Sequence, residues 1–244
     1  MTKRKVSFLV PSKGRAPILK KMLKSVLKKS GDNLRFVEVV VLNDEDEDHD
    51  SYKAVLNKFP QIDIKHIVKT VDSTSGRLNE CASVATGKIL CIACDDITLR
   101  SSWYDYVMDG FDHHPDHLAC VFNKTTNVVK QQQQVSICFI HRQHYDILGW
   151  VIPNITSHYM GDDYMYQVYY RLDRLYMDKR IKILHDNKHD SVFHAHADVK
   201  GRDLEKRKIM RKQAKTDAVA LSVAKKKRPK FSRNAIRSNK LPPI

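Results

Sequence analysis

Apolar residues along the chain recur with two periods, and the places where one gives way to the other divide the first half into repeating units. Residues 6–10 form a short apolar run that breaks at Pro11-Ser12-Lys13-Gly14-Arg15. Ile18, Met22, Leu23, Val26 and Leu27 then fall on one face of a helix. The unit repeats. Residues 36–42 are dense in valine and end in the acidic loop 43–48, after which Tyr52, Val55, Leu56 and Phe59 return to helical spacing. Residues 62–68 alternate as a strand, 78–84 suit a short helix closed at Gly87, and 89–93 read as a buried strand stopping at Asp95-Asp96. Strands alternating with helices predict an α/β fold with a mainly parallel sheet covered on both faces. Ligands of such sheets gather at the carboxyl ends of the strands, which places function at 12–15, 43–48 and 95–97.

Beyond residue 118 the pattern changes. Segments 118–123 and 135–140 look like strands, separated by a polar stretch whose Gln131 to Gln134 tetrad suits a loop or strand edge. Gly161-Asp162-Asp163 opens a helix expected to run through 164–175, with its acids where the first turn favours negative charge. His113, His114 and His117, around Pro115, are expected in an exposed linker.

Composition adds the size of the core. With 244 residues, 42% hydrophobic, and only 8 Gly and 8 Pro, the chain can bury a sizeable interior, which excludes collagen-like or disordered classes. No apolar run approaches the roughly 18–20 residues that cross a bilayer, so neither a transmembrane segment nor a signal peptide is expected. Five cysteines, an odd number set mostly in apolar runs, suggest buried thiols in a reducing, cytoplasmic compartment. Cys91 and Cys94 form a C-x-x-C without a second pair, for which strand packing is the simpler reading than zinc or redox chemistry.

Charge is unevenly distributed. Residues 200–244 hold 16 of the 43 Lys and Arg but only 3 of the 28 Asp and Glu, so the formal +15 resides almost wholly in this segment. It divides into a basic helix over 203–223 and an extended arm containing Lys225, Lys226, Lys227, Arg228, Lys230 and Arg233. Such a segment gains free energy on a polyphosphate by releasing condensed counterions. Nucleic acid is the leading partner, beside a solvated tail and an anionic lipid surface.

The order of parts over residues 5–197 resembles the family-2-type GT-A glycosyltransferases, which transfer a sugar from a nucleotide-sugar donor. Val10-Pro11-Ser12-Lys13-Gly14-Arg15 is similar to the family's opening segment against the donor base, and 39–44 to the stretch whose acid, here Asp44, contacts base or ribose. Gly76-Arg77-Leu78-Asn79 with Ala85-Thr86-Gly87-Lys88 resembles the segment ahead of the central strand, where Arg77 reaches the base or diphosphate or else caps a helix. Residues 90–96 match the Asp-x-Asp metal segment. Asp95 falls on the second aspartate, the first is replaced by Ala93, and Asp96 serves as a turn cap or an outer carboxylate. Met160-Gly161-Asp162-Asp163-Tyr164 resembles the acceptor-side segment that supplies the general base, Asp163 or its neighbour Asp162. Gly149-Trp150 falls where the family often puts an acceptor or donor wall. In the histidine-rich stretch 185–196, His194 or His196 matches the late histidine that completes metal coordination in some members.

The resemblance implies two units: a transferase domain over 1–199, with a nucleotide-sugar half (1–117) and an acceptor half (118–199), and the basic appendage over 200–244. It also implies a UDP-type donor, Mn2+ or Mg2+ as cofactor, and inversion by in-line displacement. A basic arm on a small transferase domain resembles phage enzymes that glycosylate hydroxymethylated bases in DNA. A surface glycan or lipopolysaccharide core is the alternative acceptor. Two other classes compete: a nucleotidyltransferase, for which the single glycine of 12–15 is a poor phosphate loop, and a noncatalytic nucleic-acid-binding module.

Overall fold

In the computed structural model the described residues are 2–45, 48–114, 116, 118–122, 135, 137–155, 160–186 and 204–226. The first half follows the expected alternation. Strands β1 (Val6–Pro11), β2 (Val37–Asn43), β3 (Asp63–Val68) and β4 (Ile89–Ile92) are joined by helices α1 (Ala16–Ser30), α2 (His49–Leu56) and α3 (Thr74–Val84), with a 3-10 helix at Gly31–Phe36. There follow β5 (Ile97–Leu99), α4 (Tyr104–Asp112), β6 (Cys120–Phe122), β7 (Cys138–His141) and α5 (Gln143–Leu148). The last elements are α6 (Gly161–Arg171), β8 (Leu175–Met177), β9 (Ile183–His185) and α7 (Leu204–Lys226).

Seven strands form one sheet in the order β3-β2-β1-β4-β7-β6-β8, and β5 pairs with β9 in a separate antiparallel ribbon. Strands β1 to β4 are parallel, β7 is antiparallel to both β4 and β6, and β8 is parallel to β6. Strand β7 alone is therefore reversed in that sheet, and the carboxyl ends of the other six share one edge.

Alternation along each strand splits the interior in two. Phe8, Val39, Val41, Cys91 and Phe139 face α1, α2 and α4, where Trp103 stacks on Phe139 at 5.5 Å. Leu9, Val40, Leu90 and Ile140 face the other layer, made by α3, α6 and α7. Helix α7 belongs to this second core: Met210, Ala214, Asp217 and Leu221 recur at helical spacing and are buried, while Lys206, Arg207, Lys208, Arg211, Lys212 and Lys215 are exposed. The expected basic helix is thus present, docked on α5 and α6 through its small and apolar face.

Three expectations are corrected by the packing. Helix α6 ends at Arg171 rather than near 175, because Asp173 takes a left-handed conformation (φ 54°) and Leu175 pairs with Cys120. His114 is buried, not in an exposed linker. Helix α3 begins four residues before Leu78, at Thr74, where the Ser73 side chain accepts from the Gly76 N–H at 3.0 Å. The glutamine tetrad lies outside the described residues.

At the amino ends of the strands, Glu38 is fully buried on β2. It accepts from Ser7 Oγ, from Thr86 N at 2.8 Å and from Thr86 Oγ1 at 2.7 Å, and it pairs with Lys5 and Lys65 at 3.3 and 3.2 Å. Gly87 is required beside it, since a Cβ there would lie 2.7 Å from the Ser7 backbone nitrogen. Burial opposes ionisation, but the Ser7 and Thr86 hydrogen bonds with Lys65 outweigh it and lower the carboxyl from 4.5 to about 2. An acid lowered in the folded state stabilises above its unfolded value and loses that contribution as pH falls through the folded one. Glu38→Gln should therefore lower stability by up to about 3 kcal/mol at neutral pH, with the gap from wild type closing between pH 4.5 and 2. Urea midpoints measured across that range check it; a pH-independent gap would show that shape, not charge, is what Glu38 supplies.

Candidate active site

The loops expected to carry function meet at the carboxyl edge. Beyond Pro11, the last residue of β1, the Ser12 amide continues the ladder by donating to Leu42 O at 2.9 Å, and Gly14 (φ 63°) turns the chain into α1. This brings Ser12 and Arg15 onto Asp95, just past β4. Ser12 Oγ donates to Asp95 Oδ2 at 2.7 Å, Arg15 Nε donates to the same oxygen at 3.0 Å, and Arg15 Nη2 lies 2.7 Å from Oδ1. Tyr52 of α2 closes the knot: its hydroxyl accepts from the Arg15 amide at 3.1 Å and lies 2.9 Å from Ser12 Oγ. Asp95 has no exposed surface, and burial pushes its carboxyl up to about 6 against the opposing pull of Arg15 and Ser12.

At the end of β2, Asp44 is buried, and its Oδ2 pairs with Lys13 Nζ and Arg77 Nη2, each at 2.7 Å. Its other oxygen, Oδ1, is buried without a hydrogen bond among the described residues. Arg77 is braced by donating Nε to Val71 O at 2.8 Å, so the helix-start arginine reaches the strand tip instead of solvent. Asn43 orders the neighbouring backbone: Nδ2 donates to Asp44 O at 3.0 Å, and Oδ1 accepts from His66. Burial, with the nearby His49 and Lys53, lowers the His66 pKa.

Asp96, whose Oδ2 lies 3.8 Å from Arg15 Nη1, also meets the β5–β9 ribbon. Ile97 pairs with His185 and the Asp186 amide donates to Asp96 O at 2.9 Å, so the ribbon carries His185 Nε2 to 3.1 Å from Asp96 Oδ1 and 3.3 Å from Cys94 Sγ. The donor atoms of Cys94, Asp96 and His185 all lie within 4.8 Å of one another. Burial works against ionisation of Asp96, yet the His185 contact holds its carboxyl below the ordinary range. Burial, with the two neighbouring aspartates, pushes the Cys94 thiol well up. A carboxylate and an imidazole that close together fit a divalent cation, with a protonated thiol as the weakest of the three donors. His185 was hard to see in the sequence because its partner strand lies more than eighty residues away; the signal it offers is its place at the head of the histidine-rich stretch 185–196. His194 and His196 lie outside the described residues.

Asp162 and Asp163 begin α6, both half-buried. The helix precedes β8, which runs parallel to β6, and Arg174 O accepts from Cys120 N at the start of β6. Its opposite end, carrying the two acids, therefore lies at the edge occupied by Asp44 and Asp95. Asp162 is near enough to Cys138 to help raise that thiol, after the Cys120 hydrogen bond and burial, and Cys138 pairs with Ile92 at the tip of β4. Gly149 (φ 80°) caps α5, and Trp150 Nε1 donates to Asp217 of α7 at 3.4 Å. Of the basic residues, Lys225 and Lys226 end α7, and Lys227, Arg228, Lys230 and Arg233 lie outside the described residues.

Solved structures with the same fold include a mannosyltransferase, PcManGT from Pyrobaculum calidifontis, in complex with GDP-Man and Mn2+. It aligns with a TM-score of 0.62 at 14% identity over 95% of this chain and 77% of its own. S. aureus TarS aligns at 0.61 and 14% identity over 88% of this chain, which spans 43% of TarS. TarS 1-349 in complex with UDP-GlcNAc aligns at 0.58 and 15% identity over 74% of this chain and 58% of its own. Among curated protein sequences no relative matches. The sequence profile of glycosyl transferase family 2 matches residues 7–197. With most of the chain inside that match and a GT-A sheet beneath it, the protein belongs to glycosyl transferase family 2 and is a glycosyltransferase.

Proposed function

We propose that the enzyme moves a sugar from a nucleoside-diphosphate donor, a UDP-sugar, to an acceptor hydroxyl with inversion at the anomeric carbon. The observation that carries this is the convergence of Asp44, Arg77, Arg15, Asp96 and His185 on one sheet edge, with Asp162 and Asp163 opening a helix at the same edge. The bare Asp44 Oδ1 is suited to accept from the nucleoside, with Arg77 beside it. Lys13 and Arg15 supply positive charge towards the diphosphate. Asp163 takes the proton of the acceptor hydroxyl as its oxygen bonds to the anomeric carbon and the bond to the diphosphate breaks; Asp162 is the second candidate. Asp96 and His185 would hold Mn2+ or Mg2+, with Asp95, assigned to the metal by resemblance, instead fixing Ser12 and Arg15 around it. When bound there, such a cation offsets the charge that develops on the leaving diphosphate.

For the acceptor we propose a hydroxylated base in DNA. Support comes from the charge of 200–244 and from the six exposed cations of α7, which turn a basic surface outward beside the acceptor-side helix α6. An acceptor on a surface glycan or lipopolysaccharide core is the competing reading. Among the described residues no helix is long and apolar enough to cross a membrane.

Thermal-shift titration with nucleoside diphosphates and their sugars, with Mn2+, should show a selective rise in Tm for one base. Asp163→Asn should keep that rise and lower turnover by about a hundredfold or more; unchanged turnover moves the base to Asp162. His185→Ala should weaken Mn2+ binding, read by electron paramagnetic resonance without donor, by about a hundredfold, and retained affinity would remove the ribbon from the metal site. Duplex DNA should bind at low salt with log K falling by about 0.9 per phosphate contacted for each decade of salt. Truncation after residue 226 should flatten that slope. Absence of binding at low salt, with phosphorylated glycans bound instead, would transfer the acceptor to the second reading.

A further inference from the structure

A cleft of about 640 Å3 opens on the flank of the molecule, between α3, the segment 149–155 and α7. Its volume is in the range of small-molecule sites. Among the described residues of its lining none is Lys, Arg or His, although the chain carries 43 Lys and Arg. Its one acid, Glu80, is neutralised by Lys69 at 2.7 Å. What remains is two aromatic rings, Tyr145 and Trp150, both half-buried, and a set of amides and hydroxyls.

The lining is held in place from behind. Asp217 of α7 is buried, accepts from Trp150 Nε1 at 3.4 Å, from Gln213 Nε2 at 2.8 Å and from Tyr164 OH at 2.6 Å. It therefore fixes the indole and turns the Gln213 carbonyl oxygen away from itself. Asn79 spends both ends of its amide on the opposite wall: Oδ1 accepts from Val151 N at 2.8 Å and Nδ2 donates to Ile152 O at 2.8 Å and to Asn154 Oδ1 at 3.4 Å. That leaves Asn154 Nδ2 as a donor and Gln213 Oε1 as an acceptor, beside the two ring faces. Arg142 covers one face of Tyr145, 5.5 Å from its centroid.

We propose that this cleft is a binding site for an uncharged saccharide, distinct from the donor site at the strand tips. A pyranose ring presents C–H faces to aromatic rings and a rim of hydroxyls that both donate and accept, which is the complement of preoriented indole, phenol and amide groups. Among the described residues the nearby cations, Lys69 and Arg142, are engaged with Glu80 and with Tyr145 and Asp146, so a phosphate-bearing ligand meets no dedicated partner. The site is independent of the transfer reaction, so binding is measured without donor or metal.

Saturation-transfer NMR with cellotetraose, maltotetraose, chitotetraose and mannotetraose tests it, together with tryptophan emission. The chain has two tryptophans, and Trp103 is sealed in the core, so a saccharide-dependent change reports Trp150. At least one tetrasaccharide should bind saturably, with affinity unaffected by salt, and Trp150→Ala should weaken it about tenfold or more. Ser83→Tyr, a substitution at an exposed residue that puts a ring into the cleft, should abolish binding while the donor-induced rise in Tm persists. The proposal is overturned if none of the four binds at millimolar concentration, if binding survives both substitutions, or if an oligothymidylate and not a saccharide perturbs Trp150.

Discussion

Asp95 is a carboxylate without exposed surface at the point where three elements meet, and the shape of the site depends on how that charge is tolerated. A buried, unpaired carboxylate costs several kcal/mol, so the loop after β1 cannot relax away from β4 without exposing or protonating it. Ser12 and Arg15 are thereby fixed on one side and, through Tyr52, α2 on the other. The remaining strand-tip groups inherit their positions from this knot. Lys13 lies one residue from Ser12 and reaches Asp44, and Asp96, one residue on, is turned towards the ribbon that bears His185.

The two ends of the sheet use buried carboxylates in opposite ways. Glu38, at the amino edge, is saturated with donors and lowered to about 2, which makes it a structural tie among β1, β2, β3 and the entry to β4. Asp95, at the carboxyl edge, has a serine and a single arginine, and burial leaves it raised to about 6. Asp44, like Asp95 and Asp96, keeps a buried Oδ1 without a hydrogen bond among the described residues. Glu38 therefore has its hydrogen-bonding demands met where the acids of the opposite edge do not.

How much of this was legible in the sequence follows from the range of the interactions. The β-α alternation up to Ile92 rests on local periodicity, and the acids at the strand ends were visible as breaks in that period. The resemblance assigned Asp44, Arg77 and Asp95 to the donor, and the structure has all three at the carboxyl edge of the sheet, but the contacts that tie Asp95 to Ser12 and Arg15 and Asp96 to His185 were not visible. They depend on the turn at Gly14, which brings Arg15 to 2.7 Å from Asp95 and 3.8 Å from Asp96. The Cys94–Asp96–His185 cluster was hidden for another reason: β5 and β9 are three residues each, too short to register as periodic, and pair only in the folded chain. The end of α6 was misjudged because Leu172 and Leu175 continue a helical stripe in sequence, whereas Asp173 redirects the chain into β8.

Helix α7 shows why net charge alone misleads about architecture. Its cations suggest an appendage, yet a stripe of Met210, Ala214, Ala218 and Leu221 buries it against α6, and Asp217 is an acid in a basic helix that is turned inward. That carboxylate is held by Tyr164, the residue after Asp163, and by Trp150, at the head of the segment leading to α6. Removing the helix would leave both side chains without their partner and uncover the face of α6 that it packs against. The basic segment thus has two faces with separate duties. The inner face packs on α6 and, through Gln213, lines the flank cleft, and the outer face carries Lys206, Arg207, Lys208, Arg211, Lys212 and Lys215 in solvent.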